Sequence, residues 1–234
     1  MKLHRFFVSQ KLRTPSGTIN GPKLAHQLAK VLRKKAGDEI ALYDESGREF
    51  LVLIGSITTD EVKYEVLEEK KGRLSSGSRL TLYCAILKHE HFDLVAEKAT
   101  ELGISRLVPI ITDRTIKKDI KSDRIERIMK EAAEQSGRTD IPALGPAMKY
   151  SAALLEAKKT GEVLFADMAA PQNKKISPKE GDSLSLFIGP EGGWTDDERE
   201  LALKNQAKIF SLGPNILRAE TAAIVGVYEL IGMI

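Results

Sequence analysis

Residues 183–222, SLSLFIGPEGGWTDDERELALKNQAKIFSLGPNILRAETA, limit the possible folds more than any other part of this chain. The apolar run from Leu184 to Ile188 has the length and composition of a strand buried on both faces. It breaks at Gly189-Pro190-Glu191-Gly192-Gly193, where the backbone is free to take positive φ and to approach a ligand closely. Thr195 and Glu198 stand at N-cap and N3 spacing, which predicts a capping box opening the next helix. A second short strand, Lys208 to Leu212, leads into Gly213-Pro214-Asn215 and then Ile216-Leu217-Arg218-Ala219-Glu220-Thr221-Ala222. Two glycine-and-proline loops thus leave the ends of two strands expected to be neighbours, and in an open α/β sheet that edge is where ligands bind. Taken singly, either loop also reads as an ordinary strand-to-helix turn. No Lys-Ser/Thr follows the glycines, as a phosphate-cradling loop requires, and G-x-G-x-x-G does not occur. The loops therefore suit a ligand without a polyphosphate.

A chain of 234 residues holds one large domain, or a small one and a medium one. Its 42% apolar and 29% charged residues fit a globular protein. No apolar run reaches membrane-spanning length, and the opening residues lack the apolar core and cleavage site of a signal peptide, so the expected location is the cytoplasm. The single cysteine, Cys84, rules out an internal disulfide and reads as a buried strand residue rather than a nucleophile. The net charge of +3 hides an asymmetry: residues 1–37 carry nine Lys or Arg and no Asp or Glu, and the remainder has 27 basic against 33 acidic residues. Such a segment suits a polyanion, nucleic acid first, or a solvated basic face.

Along the chain, His4 to Val8 reads as a first strand of a small β-rich domain. Pro22 opens a helix that presents Leu24, Leu28, Val31 and Leu32 on one face and ends at Gly37, with Lys30, Arg33, Lys34 and Lys35 in its later turns. Glu39–Tyr43 and Glu49–Ile54 form a hairpin around 44–47, and Val62, Tyr64 and Val66 alternate with polar residues along a further strand. Lys70–Ser78 is the expected linker. Strand-helix alternation then begins, which argues for a mostly parallel sheet. Its parts are a strand at Leu80–Leu87, a helix carrying Phe92, Val95, Ala99 and Leu102 up to Gly103, and a strand at Ile104–Ile111. Next come a helix from Ser122 bearing Ile125, Ile128, Met129 and Ala132, a helix from Ser151 to Gly161, and a strand at Val163–Ala166. Gln172–Gly181 reads as a lysine-rich surface loop, and the last helix presents Ile224, Val225, Tyr228 and Ile231 on an expected buried face.

Phe187-Ile188-Gly189-Pro190-Glu191-Gly192-Gly193-Trp194, Leu212-Gly213 and Ile216 to Ala222 together resemble the RsmE-type ribosomal RNA uridine-N3 methyltransferases of the SPOUT superfamily. Arg5-Phe6-Phe7-Val8 and Val31-Leu32-Arg33 match the opening pattern of that family. The resemblance implies an α/β fold in which residues 1–70 form a PUA-like RNA-binding β-barrel. Residues 71–234 would form a mostly parallel SPOUT sheet domain with a C-terminal trefoil knot. Topology rules by themselves argue against a knot, so that expectation rests on the resemblance alone. It implies docking on 16S ribosomal RNA of the small subunit through Arg5, Arg33, Lys88, Lys98 and Arg114. Glu134, Gln135 and Arg138 fall in a Glu-Gln-Ser-x-Arg segment that the family has near its active site, and the resemblance implies RNA contact for Gln135 and Arg138. Glu101 matches as well, with a helix-holding role as the alternative. For Phe6 and Phe7, domain core is favoured over base stacking. The family is dimeric through its knotted domain, which implies a homodimer using the last helix.

The implied cofactor is S-adenosylmethionine, held by Gly189, Pro190, Glu191, Gly192, Gly193, Leu212, Gly213, Asn215, Ile216 and Leu217. Leu212, Ile216 and Leu217 with their main chain supply an apolar slot and hydrogen bonds for adenine, and the first-loop glycines let the backbone approach. Methylating N3 of uracil removes an imide proton, so the base must be unpaired or flipped, and positioning contributes much of the rate. Arg218 is the first catalytic candidate, a cation that stabilises negative charge on the uracil, or else a partner in a salt bridge with Glu220 or Glu191. Glu191 is a candidate proton acceptor. No metal is expected: His89 and His91 stand at i and i+2, so on a helix their rings face apart, and the chain has few other His or Cys ligands. No nucleophile elbow exists, and one cysteine cannot build a radical iron–sulfur site. Two rival readings stand beside this one: a SPOUT enzyme acting on ribose 2′-hydroxyl or another base, and a non-catalytic ribosome assembly factor.

Overall fold

The structure, a computed structural model, describes residues 3–44, 47–71, 79–170 and 183–233. Of the sequence expectations, the turn residues Glu45 and Ser46, most of the linker 70–78 and the lysine-rich loop 172–181 lie outside them. The chain divides into two compact units: Met1–Ser75 together with Ala133–Asp140, and Ser76–Ala132 together with Ile141–Ile234. No helix among the described residues is long and apolar enough to cross a membrane.

The first unit is built on β1 (Arg5–Phe7), β2 (Ser16–Asn20), β3 (Glu39–Tyr43), β4 (Arg48–Ile57) and β5 (Glu61–Lys71), hydrogen-bonded in the order β1-β3-β4-β5-β2. β1 runs parallel to β3 and the remaining pairs are antiparallel. Alternation along the strands turns Ile40, Leu42, Val52, Ile54, Val62 and Tyr64 into one core with Phe6 and Leu28. β1 and β2 are the ends of this path, and no pairing among the described residues closes it into a barrel. Phe6 is core, as expected, and Phe7 packs on Tyr43 at 5.2 Å between ring centroids.

The helix from Pro22 differs from its expectation. α1 covers only Pro22–His26, and Gln27–Val31 continue as a π turn in which the Leu32 N–H reaches Gln27 O at 2.9 Å. The wider turn rotates Val31 out of the apolar face into solvent. The helical winding therefore stops at Val31, and Arg33 and Gly37, both at positive φ, turn the chain toward β3. Residues 133–140 also belong to this unit, where Glu134 Oε1 accepts the Phe7 N–H at 3.0 Å.

The second unit is a parallel sheet flanked by helices. Its strands are β6 (Arg79–Ala85), β7 (Arg106–Ile111), β8 (Ala143–Leu144), β9 (Met148–Lys149), β10 (Glu162–Ala166), β11 (Ser183–Ile188) and β12 (Lys208–Phe210). Their order is β12-β10-β11-β6-β7-β8, with β9 also on β7 and every pairing parallel. β11 is central, and Leu184 to Ile188 are all buried; Phe187 stacks on Tyr83 at 4.6 Å. β11 and β12, expected to be neighbours, are separated by β10. The buried apolar run Val163–Phe165 takes hydrogen-bonding partners on both edges, as a strand covered on both faces does.

The helices are α2 (His91–Leu102), α3 (Ser122–Ser136), α4 (Tyr150–Thr160), α5 (Asp196–Lys204) and α6 (Ala219–Ile231). α2 ends where expected, at Gly103 in the left-handed region, and α4 begins one residue before Ser151. On α6 the expected face is only partly buried, with Ile231 on the core and Tyr228 in solvent. Ala219, Ala223, Gly226, Val227 and Leu230 are buried, whereas Tyr228 is 69% exposed and Ile224, Val225 and Ile231 are half-buried. Small residues let this helix lie close to the sheet: a Cβ on Gly226 would stand 3.0 Å from Leu186.

Candidate active site

The carboxyl ends of the parallel strands carry a cleft of about 570 Å³, within the range of small-molecule sites. Three connections form most of it, namely the residues after β10, the loop after β11 and the segment between β12 and α6, with His91 and Arg114 added from the connections after β6 and β7.

The loop after β11 is braced by the protein itself. Gly193 sits at φ 70° and donates its N–H to Pro190 O at 2.8 Å, a tight turn that a β-carbon would strain. Gly189 and Gly192 also make room within the fold. A Cβ on Gly189 would stand 2.9 Å from the Trp194 indole, and one on Gly192 would stand 3.3 Å from Arg114, so both make room for side chains of this chain. Trp194 is buried, donates Nε1–H to Ala166 O at 2.9 Å and packs 4.4 Å from the Phe165 ring. Arg114 Nη1 donates to Gly192 O at 2.7 Å, and Glu191 Oε1 accepts the Lys88 N–H at 2.9 Å. The Thr195–Glu198 capping box forms as predicted, and buried Glu198 also accepts the Asp113 N–H at 3.0 Å.

The segment from Ser211 to Arg218 is open by comparison. Gly213 takes φ 132°, Ile216 is 85% exposed, and Leu217 lines the cleft with Ile188 and Ala222. Among the described residues, the main-chain N–H groups of Leu212, Ile216 and Leu217 donate to no protein acceptor. Leu212 and Asn215 border a small adjoining recess shared with Ala166, Asp167, Met168 and Leu217.

Asp167 and Met168 are site residues that the sequence reading missed. They follow β10, whose place between β11 and β12 is what brings them to the cleft. Buried Asp167 Oδ2 pairs with Arg199 Nε at 2.5 Å, while its Oδ1 accepts the Ala169 N–H at 3.1 Å. The Asp167 carboxylate in turn raises the Arg199 guanidinium above its ordinary value.

His91 was missed as well. Its Nδ1 stands 3.0 Å from Glu220 Oε1 at the cleft floor. His89 lies before α2 at φ 52°, so the two histidine rings approach to 6.2 Å instead of facing apart along a helix. Even so, no cluster of three or more metal-ligating side chains occurs among the described residues. Burial pushes Glu220 up, but its own main-chain N–H, His91 and Arg218 outweigh it and hold the carboxyl below the usual range. Burial, with Glu191 and Glu220 adding to it, drives the Cys84 thiol far up, which leaves it inert as a nucleophile.

Of the expected catalytic and cofactor residues, Gly189, Pro190, Glu191, Gly192, Gly193, Ile216, Leu217 and Arg218 line the cleft. Among the described residues Arg218 forms no ion pair with Glu191 or Glu220, so the salt-bridge alternative is not realised. Of the expected RNA contacts, Arg114 lines the cleft but spends its guanidinium on the loop backbone, and the Lys88 side chain is exposed. Lys98 is paired on its own helix with Glu97 and Glu101 at 2.8 and 2.9 Å. Arg5, Arg33, Gln135 and Arg138 belong to the first unit. There Arg33 and Gln135 are exposed, and Arg5 Nε donates to the Tyr43 hydroxyl at 3.2 Å. Arg138 is only 7% exposed and pairs with Asp140 at 2.7 Å.

Comparison with known proteins gives a consistent picture. The model of one protein family, described as an RNA methyltransferase domain, matches residues 75–229. A ribosomal RNA small subunit methyltransferase E from Rickettsia conorii is 32% identical, covering 98% of this chain and 96% of its own. One of the same name from Bacillus subtilis is 27% identical over 95% and 93%. A crystal structure of a ribosomal RNA small subunit methyltransferase E from Neisseria gonorrhoeae, bound to S-adenosyl methionine, superposes with a TM-score of 0.88 at 27% identity, over 98% of this chain and 97% of that one.

Proposed function

Because this chain belongs to the ribosomal RNA small subunit methyltransferase E family, we propose that it transfers a methyl group from S-adenosylmethionine to N3 of a uridine in 16S ribosomal RNA. The substrate on this reading is the assembled small subunit, met in the cytoplasm. The observation that carries the proposal is the open Ser211–Arg218 segment, which offers the cleft an apolar surface beside main-chain donors that are unpaired among the described residues. That is what an adenine ring needs: Ile216 and Leu217 for its faces and main-chain N–H groups for its edge. The braced Gly189–Trp194 loop forms the opposite part of the site, and Asp167, Glu191 and Glu220 supply carboxylates that suit a sulfonium. When bound, the cofactor supplies an electrophilic methyl group.

The work left to the chain is to position the base, keep water out and handle charge. Arg218, exposed at the cleft and without a carboxylate partner among the described residues, is placed to offset negative charge on the uracil. Glu191 is engaged by the Lys88 N–H, which favours loop bracing for it over proton transfer. Exposed Arg33 and Lys88 suit phosphates best, with Gln135 beside them in role; Arg5, Lys98, Arg114 and Arg138 are already held by other groups. We also read residues 1–70 as a PUA-like RNA-binding domain and 71–234 as the SPOUT domain with its C-terminal knot. Ile224 and Tyr228, left outside the core cluster on α6, support a homodimer through that domain.

The test is methyl transfer from labelled cofactor to small subunits lacking the modification, with nucleoside analysis. Recovery of N3-methyluridine is expected. Label on another nucleoside or on ribose would overturn the substrate, and no label with no cofactor binding would favour an assembly factor.

A further inference from the structure

The cleft continues beyond its floor. His91, Arg218 and Glu220 are shared between it and a second, more open recess of about 580 Å³ on their far side. That recess is bounded by the start of α2, the N-terminus of α6 and α3, where Leu94 and Ile128 give apolar wall and Arg124 a cation. A methyl donor in the first chamber and an acceptor base in the second would meet at those three side chains.

Most ionisable groups there are spoken for. Glu191 accepts the Lys88 N–H, Asp167 holds Arg199, and Glu220 is buried with its carboxyl held low, which makes it a poor proton acceptor. His91 differs. Its Nδ1 is buried 3.0 Å from Glu220 Oε1, and the opposite edge of the ring, which carries Nε2, is the part left to the chambers. The Nδ1–Oε1 contact is close but off the line of a hydrogen bond, and catalytic contacts of this kind tighten when substrate binds. A carboxylate at Nδ1 selects the tautomer protonated there and leaves Nε2 free to accept.

We propose that Nε2 of His91, oriented by Glu220, takes the N3 proton of the target uridine in the recess beyond Arg218; this rests on the function proposed above. The proton moves from N3 to Nε2, and its electron pair stays on the uracil beside the Arg218 cation. N3 forms its bond to the methyl carbon as the carbon–sulfur bond breaks, with that bond's pair remaining on sulfur. His91 is left as an imidazolium facing Glu220 until water removes the proton. The charged or titratable groups lining the two chambers with the ring include His89, Glu90, Asp93 and Glu97 at or on α2, Arg114 after β7, Arg124 on α3, Glu191 after β11, Arg218 before α6 and Glu220 on it.

The experiment compares His91→Gln and His91→Ala with the unsubstituted protein, using labelled cofactor and small subunits across neutral pH. Turnover is expected to fall by about 100-fold or more, with loss of the acidic limb of the kcat profile. Cofactor binding by calorimetry is expected to stay unchanged, and added imidazole to restore part of the activity of His91→Ala. Independently of turnover, nitrogen-15 shifts of the His91 ring in the cofactor-free protein should report the proton on Nδ1. A His91→Gln protein that keeps most of its rate and its pH profile, or a ring protonated on Nε2, overturns the proposal and leaves the function reading intact. If the unsubstituted protein puts no methyl on N3, the function reading fails and this inference falls with it.

Discussion

Gly189–Trp194 and Ser211–Arg218 are both glycine-and-proline segments at the same edge of one sheet, and the protein treats them differently. In the first, Trp194 fills the space that a Gly189 side chain would take, Arg114 ties down the Gly192 carbonyl, and Glu191 clasps the main chain at Lys88. In the second, Ile216 stands in solvent and the N–H groups of Ile216 and Leu217 donate to nothing among the described residues. The first loop is therefore held by the protein's own groups, while the second keeps its apolar surface and its donors for something that binds. Similar composition conceals a wall and a seat.

Substitutions sharpen this contrast. The largest stability effect is expected for Trp194→Ala, about 3–5 kcal/mol by denaturant unfolding, because it empties a buried site and strands the Ala166 carbonyl. Gly189→Ala should cost about 1–3 kcal/mol, since its Cβ would overlap the Trp194 indole. Arg114→Ala, which removes a partly exposed brace, should cost about 1 kcal/mol and weaken cofactor binding alongside. Ile216→Ala should leave stability within about 0.5 kcal/mol and lower cofactor affinity about tenfold, the pattern of a residue that packs only on a ligand. A Gly189→Ala protein as stable as the parent, or a strongly destabilised Ile216→Ala, would break the contrast.

The smallest effect concerns acid. Glu220 is held below its ordinary value in the folded protein, so its contribution is present above the unfolded value of about 4.3 and is lost as pH falls through the lower folded one. Unfolding at neutral and acidic pH should show the gap between the parent and Glu220→Gln narrowing on the acid side.

What was legible in the sequence was local. The Thr195–Glu198 box, the Gly103 cap of α2 and the buried run of β11 are set by neighbours a few residues apart, and all three are found. The place of β10 between β11 and β12 depends on pairing between distant segments, and with it Asp167 and Met168 stayed hidden. Periodicity also misjudged α6: a helix apolar nearly all round offers two stripes, and the one made of Ala and Gly packs closer than the one made of Ile and Tyr. A π turn leaves no mark in hydropathy, so Val31 was placed on the wrong side. For His91 the sequence offers only a metal pair with His89 on a helix, because its partner Glu220 lies far along the chain.

The central claim, that the open segment is the seat of the methyl donor, is tested most directly by calorimetric titration of S-adenosylmethionine into the parent protein and into Ile216→Asp. The account predicts one binding event per chain in the parent and a loss of at least about tenfold in affinity for the variant, with an unchanged unfolding curve. Equal affinity in the two proteins would contradict it.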